Sequence, residues 1–270
     1  MSLVYETGVG IYGILETCLL SIWQAYLVYF QLSKSQCHYS FLSKDIRSSD
    51  LQSSFPAKHD SQNMHVNKIS GTEGYAETAD YLVNQWQEIS FEEHHATVLH
   101  LLPTSPCRVL DIGSGIGKDA AAFAAMGHSV VAVEPTRELR LPGIALHDAP
   151  NICWLDDSLP DLSRLCAMNQ TFDLIMLSAV WMHLDATQRQ HAMPRLAGLM
   201  NASATLILSL RHGPIPAGRR MFDVSAEETM ELAAMQNLLP ILNVRTASIQ
   251  KLNQQSGVKW TRLAFRRFLS

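Results

Sequence analysis

An apolar strand that runs straight into three glycines at alternate positions limits this chain to very few folds. Arg108-Val-Leu-Asp-Ile is followed by Gly113, Gly115 and Gly117. The alanine-rich run 120–126 comes next, then Ser129-Val-Val-Ala-Val, which ends on Glu134. Glycine lets the backbone turn tightly and lets a ligand approach where a Cβ would stand in the way. The helix that follows opens with unpaired N–H groups. A carboxylate at the tip of the next strand can take both hydroxyls of a ribose. Strand, glycine turn, helix, strand and acid are together the parts of a nucleoside-binding α/β site.

The glycine spacing separates two cofactors. A dinucleotide fingerprint reads G-x-G-x-x-G, and its third glycine would fall on Lys118. A nicotinamide-dependent oxidoreductase, which needs a pyrophosphate site, is therefore the weaker alternative. What stands is Asp111-x-Gly113-x-Gly115-x-Gly117. This resembles motif I of the class I S-adenosylmethionine (SAM)-dependent methyltransferases, and Glu134 falls where that family keeps its ribose acid. The resemblance covers about 70–266 and is strongest over 108–134. It implies a doubly wound, mostly parallel seven-stranded α/β sheet with an antiparallel edge strand, the Rossmann-like methyltransferase fold. It also implies SAM as cofactor, with methyl transfer to a small-molecule acceptor. A SAM-binding protein without turnover, serving as a sensor or interaction subunit, is the alternative from another class.

The pattern along the chain agrees. Tyr75, Ala79, Leu82, Val83 and Trp86 share one helical face, and a second helix is expected over 91–102, before Pro103 and Pro106. Strands are expected at 108–112, 129–134, 151–155, 172–177 and 204–210, with helices at 118–126, 137–141 and 186–200. The last is capped by Asp185 and disturbed at Pro194. Ser225-Ala-Glu-Glu is a capping box, so a helix is expected over 225–238. Strands at 244–250 and 259–265, joined by the polar turn 253–257, should form a hairpin. Alternating strands and helices give a parallel sheet with right-handed crossovers.

Ligands of such sheets bind beyond the carboxyl ends of the strands. The resemblance implies that Asp111, Gly113, Gly115 and Gly117 hold the methionine half of SAM, that Glu134 holds the ribose and that Pro135 packs on the adenine. It also gives the adenine amino group an acid after the third strand. Asp156 is the first choice, with the backbone N–H of Asp157 on the ring, and the register could shift by one. Ser178 opens the segment after the fourth strand, where Trp181 and His183 would stand at the rim between cofactor and acceptor. His183 could act as general base, because histidine titrates near ~6.5; packing on the following helix is the alternative. Tyr75, Tyr81, Trp86, His94 and His95 could form a lid. Arg211, Arg219 and Arg220 could bind the acceptor, with Arg219 and Arg220 clamping an anion.

Composition excludes other classes. A net charge of −4 provides no general nucleic-acid surface. Five cysteines, an odd number with no CxxC, suit reduced thiols in the cytoplasm. The eleven histidines show no zinc spacing, and no metal is expected. Residues 1–63 differ from a methyltransferase domain at 64–270. Segment 8–30 is apolar but carries Glu16, which would cost a few kcal/mol inside a bilayer. Residues 33–63 read as a polar linker. The extension is a poorly ordered or spurious start before Met64, an interfacial helix, or an anchor placing the domain on the inner face of a membrane.

Overall fold

A computed structural model describes residues 69–267. The expectations for 1–63, the apolar segment 8–30 among them, lie outside the described residues.

Seven strands form one mixed sheet in the order β3-β2-β1-β4-β5-β7-β6. β1 is Arg108–Ile112, β2 Ser129–Val133, β3 Ile152–Leu155, β4 Phe172–Leu177, β5 Met200–His212, β6 Leu238–Ala247 and β7 Lys259–Arg267. The first five pair in parallel. β7 runs antiparallel to both β5 and β6, so the reversed strand lies one place in from the β6 edge. The expected hairpin therefore forms, with β7 inserted beside β5. The family-like fold expected from the sequence is the fold observed.

Side chains alternate across the strands, and each face has its own core. Leu110, Ile112, Ile175, Leu177, Leu206, Leu208 and Phe265 bury one face. Helices α6 (Ala186–Gly198) and α7 (Ala226–Ala234) cover it through Ala192, Met193, Leu196 and Ala233. Val109, Val130, Ala132, Leu174, Met176, Ile207 and Ala264 bury the other. They pack against Phe91 of α2 (Phe91–His95) and against Ala120 and Phe123 of α3 (Lys118–Ala125). At ~25 cal/mol per Å² of apolar surface, these two layers supply the main driving force for folding.

The entrance helix α1 (Ala79–Gln87) follows a 3₁₀ turn at Ala76–Thr78. Its face behaves as the periodicity predicts: Tyr75, Ala79, Leu82, Val83 and Trp86 pack with Ile116 and Leu139.

Several boundaries differ from expectation. The helix expected over 91–102 stops at His95, and a 3₁₀ turn at Leu99–Leu101 completes the span. α4 runs Arg137–Leu146, straight through Pro142. α6 agrees with its expected span to within two residues and continues through Pro194, because Met193, Leu196 and Ala197 are anchored in the core. Asp185 and Gln188 form its capping box. A short helix, α5 (Ser163–Ala167), follows β3 with no expectation from the sequence. The capping-box helix, expected to reach 238, stops at Ala234; β6 begins at Leu238, six residues before the expected 244, and ends before the expected 248–250. The expected turn 253–257 contains α8 (Lys251–Gln255).

Candidate functional site

Strand order reverses between β1 and β4, each of which feeds its loop to the same edge of the sheet. A cavity of about 540 Å³ opens there, lined by Asp111 to Ile116, Glu134 to Thr136, Asp157 to Leu159, and Ser178 to Val180.

The loop after β1 is shaped from within. The amides of Gly113 and Ser114 both donate to the carbonyl of Val133 at the end of β2, at 2.8 and 3.0 Å. Gly115 has φ +56°, and a Cβ there would lie 3.0 Å from the Trp86 ring. Gly117 is the αL residue that opens α3, with φ +77°. It does not line the cavity; a Cβ on it would collide with the Trp154 ring. This corrects the expectation that Gly117 touches the cofactor. The third glycine is required by the tryptophan behind the loop.

Glu134 is buried, and its carboxylate accepts from the amides of Gly115 at 2.8 Å and Thr136 at 2.7 Å. Burial raises its pKa, opposed by those amides and by Arg140. Arg140 of α4 also donates to the Glu134 carbonyl at 2.5 Å and pairs with Asp156 at 2.9 Å. Asp156 is thereby turned away and does not line the cavity. Asp157 does line it, as a one-residue shift in register requires. The Asp157 carboxylate is spent on the amides of Ser158 and Leu165, both at 2.9 Å.

Asp111 is 1% exposed, and its Oδ2 has no hydrogen-bond partner. Burial, with the nearby carboxylates of Asp119 and Glu134, holds its carboxyl well above the usual range. Asp119, which the sequence reading missed, also faces the cavity. Burial works against its charge, but His95 at 2.9 Å and Ser178 at 3.0 Å outweigh that and lower its pKa. Its place in the first turn of α3, one residue beyond Lys118, was the available signal. A buried acid with a vacant acceptor beside glycine amides fits SAM, whose ammonium and sulfonium are cationic and whose carboxylate suits N–H donors.

After β4, Ser178, Val180 and His183 line the cavity. Trp181 does not: it is fully buried in the core under the 3₁₀ turn Trp181–His183. Its expected place at the rim is corrected: the cavity wall here is made by Met182, His183 and Leu184. His183 Nδ1 lies 2.7 Å from the carbonyl of Arg220, which can only accept. The proton is therefore on Nδ1, and Nε2 accepts from the Tyr75 hydroxyl at 3.0 Å. Burial lowers the His183 pKa, partly offset by that carbonyl. Burial raises the Tyr75 pKa.

Tyr75, Tyr81, Trp86 and His94 all line the cavity as a lid would, whereas His95 turns back to Asp119. Arg211 and Arg219 line it too. Arg220 does not: it pairs with Asp185 at 3.1 Å and stacks 4.6 Å from the Phe222 ring centre, so it holds α6 and not an acceptor. Trp260 and Arg262 of β7 join the lining with no warning from the sequence, because only strand pairing brings β7 beside β5.

Among the described residues no helix is long and apolar enough to cross a membrane. Residues 110–208 match the family model described as a methyltransferase domain. No curated protein matches the sequence. Among solved structures, the fold is similar to a 1,6-didemethyltoxoflavin-N1-methyltransferase from Burkholderia thailandensis, solved with 1,6-didemethyltoxoflavin and S-adenosylhomocysteine. That pair is 17% identical over 72% of this chain and 86% of the other, with a TM-score of 0.58. The N-methyltransferase NodS from Bradyrhizobium japonicum WM9, solved with S-adenosylhomocysteine, is 17% identical over 71% of this chain and 97% of its own, with a TM-score of 0.55. A TehB-like SAM-dependent methyltransferase from Corynebacterium glutamicum ATCC 13032 is 17% identical over 71% and 98%, with a TM-score of 0.53. At such identity the structural likeness carries the fold, while the family match carries the activity. The matched stretch 110–208 therefore marks a methyltransferase domain, an enzyme with S-adenosylmethionine as its cofactor, in the fold that solved SAM-dependent methyltransferases share.

Proposed function

We propose that the chain methylates a small molecule and uses Tyr75 with His183 to take the acceptor's proton. The observation that carries this reading is the Tyr75–His183–Arg220 carbonyl chain on the wall of the cavity that Asp111 and Glu134 also line. The small molecule bound to the Burkholderia enzyme supports a small acceptor here, as does the cavity volume of about 540 Å³.

SAM would be held by Asp111, Gly113, Gly115, Glu134, Pro135, Asp157 and Ser178. It supplies a methyl group on a positively charged sulfur that is already a good leaving group. The protein's share is alignment and exclusion of water. Tyr75, Trp86 and Leu82 wall the cavity with apolar surface. The Tyr75 oxygen can receive the acceptor's proton as its own moves to Nε2 of His183, and the Arg220 carbonyl steadies the resulting imidazolium. Because burial lowers the His183 pKa, the ring remains an unprotonated base below the ordinary histidine range.

An acceptor screen that reads release of S-adenosylhomocysteine tests the activity. With an acceptor in hand, Tyr75→Phe and His183→Gln should each lower kcat about a hundredfold while leaving the Kd for S-adenosylhomocysteine unchanged. Equal losses in cofactor affinity would reduce the pair to a structural strut.

A further inference from the structure

The cavity is divided by charge. Asp111, Asp119, Glu134 and Asp157 line the side beneath β1 to β3, where the one cation, Lys118, is tied to the Gln87 and Ile89 carbonyls; Arg211 of β5, Arg262 of β7 and Arg219 of the loop after β5 line the other side. Arg140, Arg189 and Arg220 each pair with a carboxylate. Among the described residues, none of the three cavity arginines does.

Arg262 is the sharpest case. It is 7% exposed, and its Nη1 has no partner. Its Nη2 reaches only the His94 carbonyl at 3.5 Å. Burial pulls its pKa down to about 10, a measure of how poorly the site solvates its charge. The Asp119 carboxylate nearby partly offsets this, but it already accepts from His95 and Ser178 and makes no direct pair with the guanidinium; leaving a buried cation without a hydrogen-bonded counter-charge is costly.

Strand register joins this residue to a second. Ser209 faces Arg262 and Arg211 faces Trp260 across the β5–β7 pair. Residues two apart share a sheet face, so Arg211, Trp260 and Arg262 stand together on the face that lines the cavity. The two arginines are diagonal neighbours across the pair, roughly 7–8 Å apart in such a ladder, within reach of a single oxyanion. Nη1 of Arg211 is steadied by the Pro214 carbonyl at 2.6 Å, which leaves other donors of its fork free. Arg219 is already engaged: it stacks 3.9 Å from the Tyr75 ring centre and donates to Thr78 at 2.8 Å.

We propose that the methyl acceptor carries an oxyanion, a carboxylate or a phosphate, which Arg211 and Arg262 hold against Trp260. This rests on the methyltransferase reading and deepens it: it gives the acceptor a charge and gives β7 a part in its selection. A guanidinium fork suits both oxyanions, because each offers two oxygens to parallel N–H donors. The anion would sit on the side of the cavity away from the acids assigned to SAM, which leaves the acceptor's reactive group facing Tyr75.

The test uses the full chain saturated with S-adenosylhomocysteine, whose own binding is measured first. Failure of that first titration would count against the cofactor site and is read separately. Benzoate and phenyl phosphate are then titrated by calorimetry beside neutral benzamide and cationic benzylamine. At least one anion should bind tenfold or more tightly than both uncharged and cationic analogues, and which one binds distinguishes carboxylate from phosphate. Arg211→Gln and Arg262→Gln should each weaken that binding tenfold or more, with the Kd for S-adenosylhomocysteine held within twofold. Should the buried Arg262 variant fail to fold, Arg211→Gln gives the answer alone. Anions that bind no better than benzamide, or binding indifferent to Arg211→Gln, would overturn the proposal.

Discussion

Gly117 illustrates how one residue type serves two ends within a single motif. Gly115 faces the cavity, while Gly117 faces Trp154. Both take positive φ, where a Cβ adds strain. The sequence displays the two glycines as equals; only the position of Trp154, from β3, separates them. Gly117→Ala should therefore act on stability first, costing about 1–3 kcal/mol as overpacking does, visible as a lower Tm. Trp154→Leu in the same chain should recover part of the loss by clearing the ring. Unchanged stability with abolished SAM binding would return Gly117 to the ligand.

At the scale of elements, the entrance helix is held to the glycine loop by one side chain. Nζ of Lys118 donates to the carbonyl of Gln87 at 2.9 Å and also to that of Ile89. These carbonyls close the turn between α1 and α2, and Lys118 opens α3. In the sequence Lys118 was legible only as the position where a dinucleotide fingerprint fails. In the structure it ties down the wall that carries Trp86. Lys118→Met should speed amide hydrogen exchange across 82–95 while leaving β1 and β4 protected, since local opening follows the loss of local ties. It should also weaken SAM binding severalfold. Exchange indistinguishable from the parent would show that packing of Leu82 and Trp86 suffices. The N-caps at Asp185 and Ser225 were legible, because their hydrogen bonds lie within four residues; the box expected at Ser225 is only half made, since Glu228 turns its carboxylate to Arg189, 39 residues away. The length of α6 was legible to within two residues, its burial against the core carrying it through Pro194; that of α4 was not, since the expected helix stopped before Pro142 and the observed one passes through it.

For the molecule as a whole, cofactor binding should be linked to protons. Asp111 is held well above the usual carboxylate range by burial and by two acids nearby, so it retains its proton more readily in the free protein. A cation at its vacant Oδ2 favours the ionised form, which lowers the pKa in the complex. Binding then releases protons, and affinity for SAM rises with pH through the raised Asp111 range and is lost as pH falls below it. Calorimetry in two buffers of different ionisation enthalpy should show that release, and Asp111→Asn should remove it. Heats that do not depend on the buffer would place the ligand's charge elsewhere.

The sequence by itself determined the β1–loop–α3–β2 unit with Asp111, Gly115 and Glu134, because those contacts are made by neighbours in the chain and the strand period is set locally. It determined the alternation that builds the sheet for the same reason. Tertiary structure alone decided that β7 enters between β5 and β6, bringing Trp260 and Arg262 to the cavity. It alone turned Asp156 toward Arg140 and buried Trp181. It alone set Tyr75 against His183, 108 residues away. These are long-range pairings whose partners compete for the same space, and no local pattern ranks them. The far wall of the cavity, from Tyr75, Arg211, Trp260 and Arg262, is built from such pairings, whereas the wall around Asp111 and Glu134 is written mostly in the stretch 108–136.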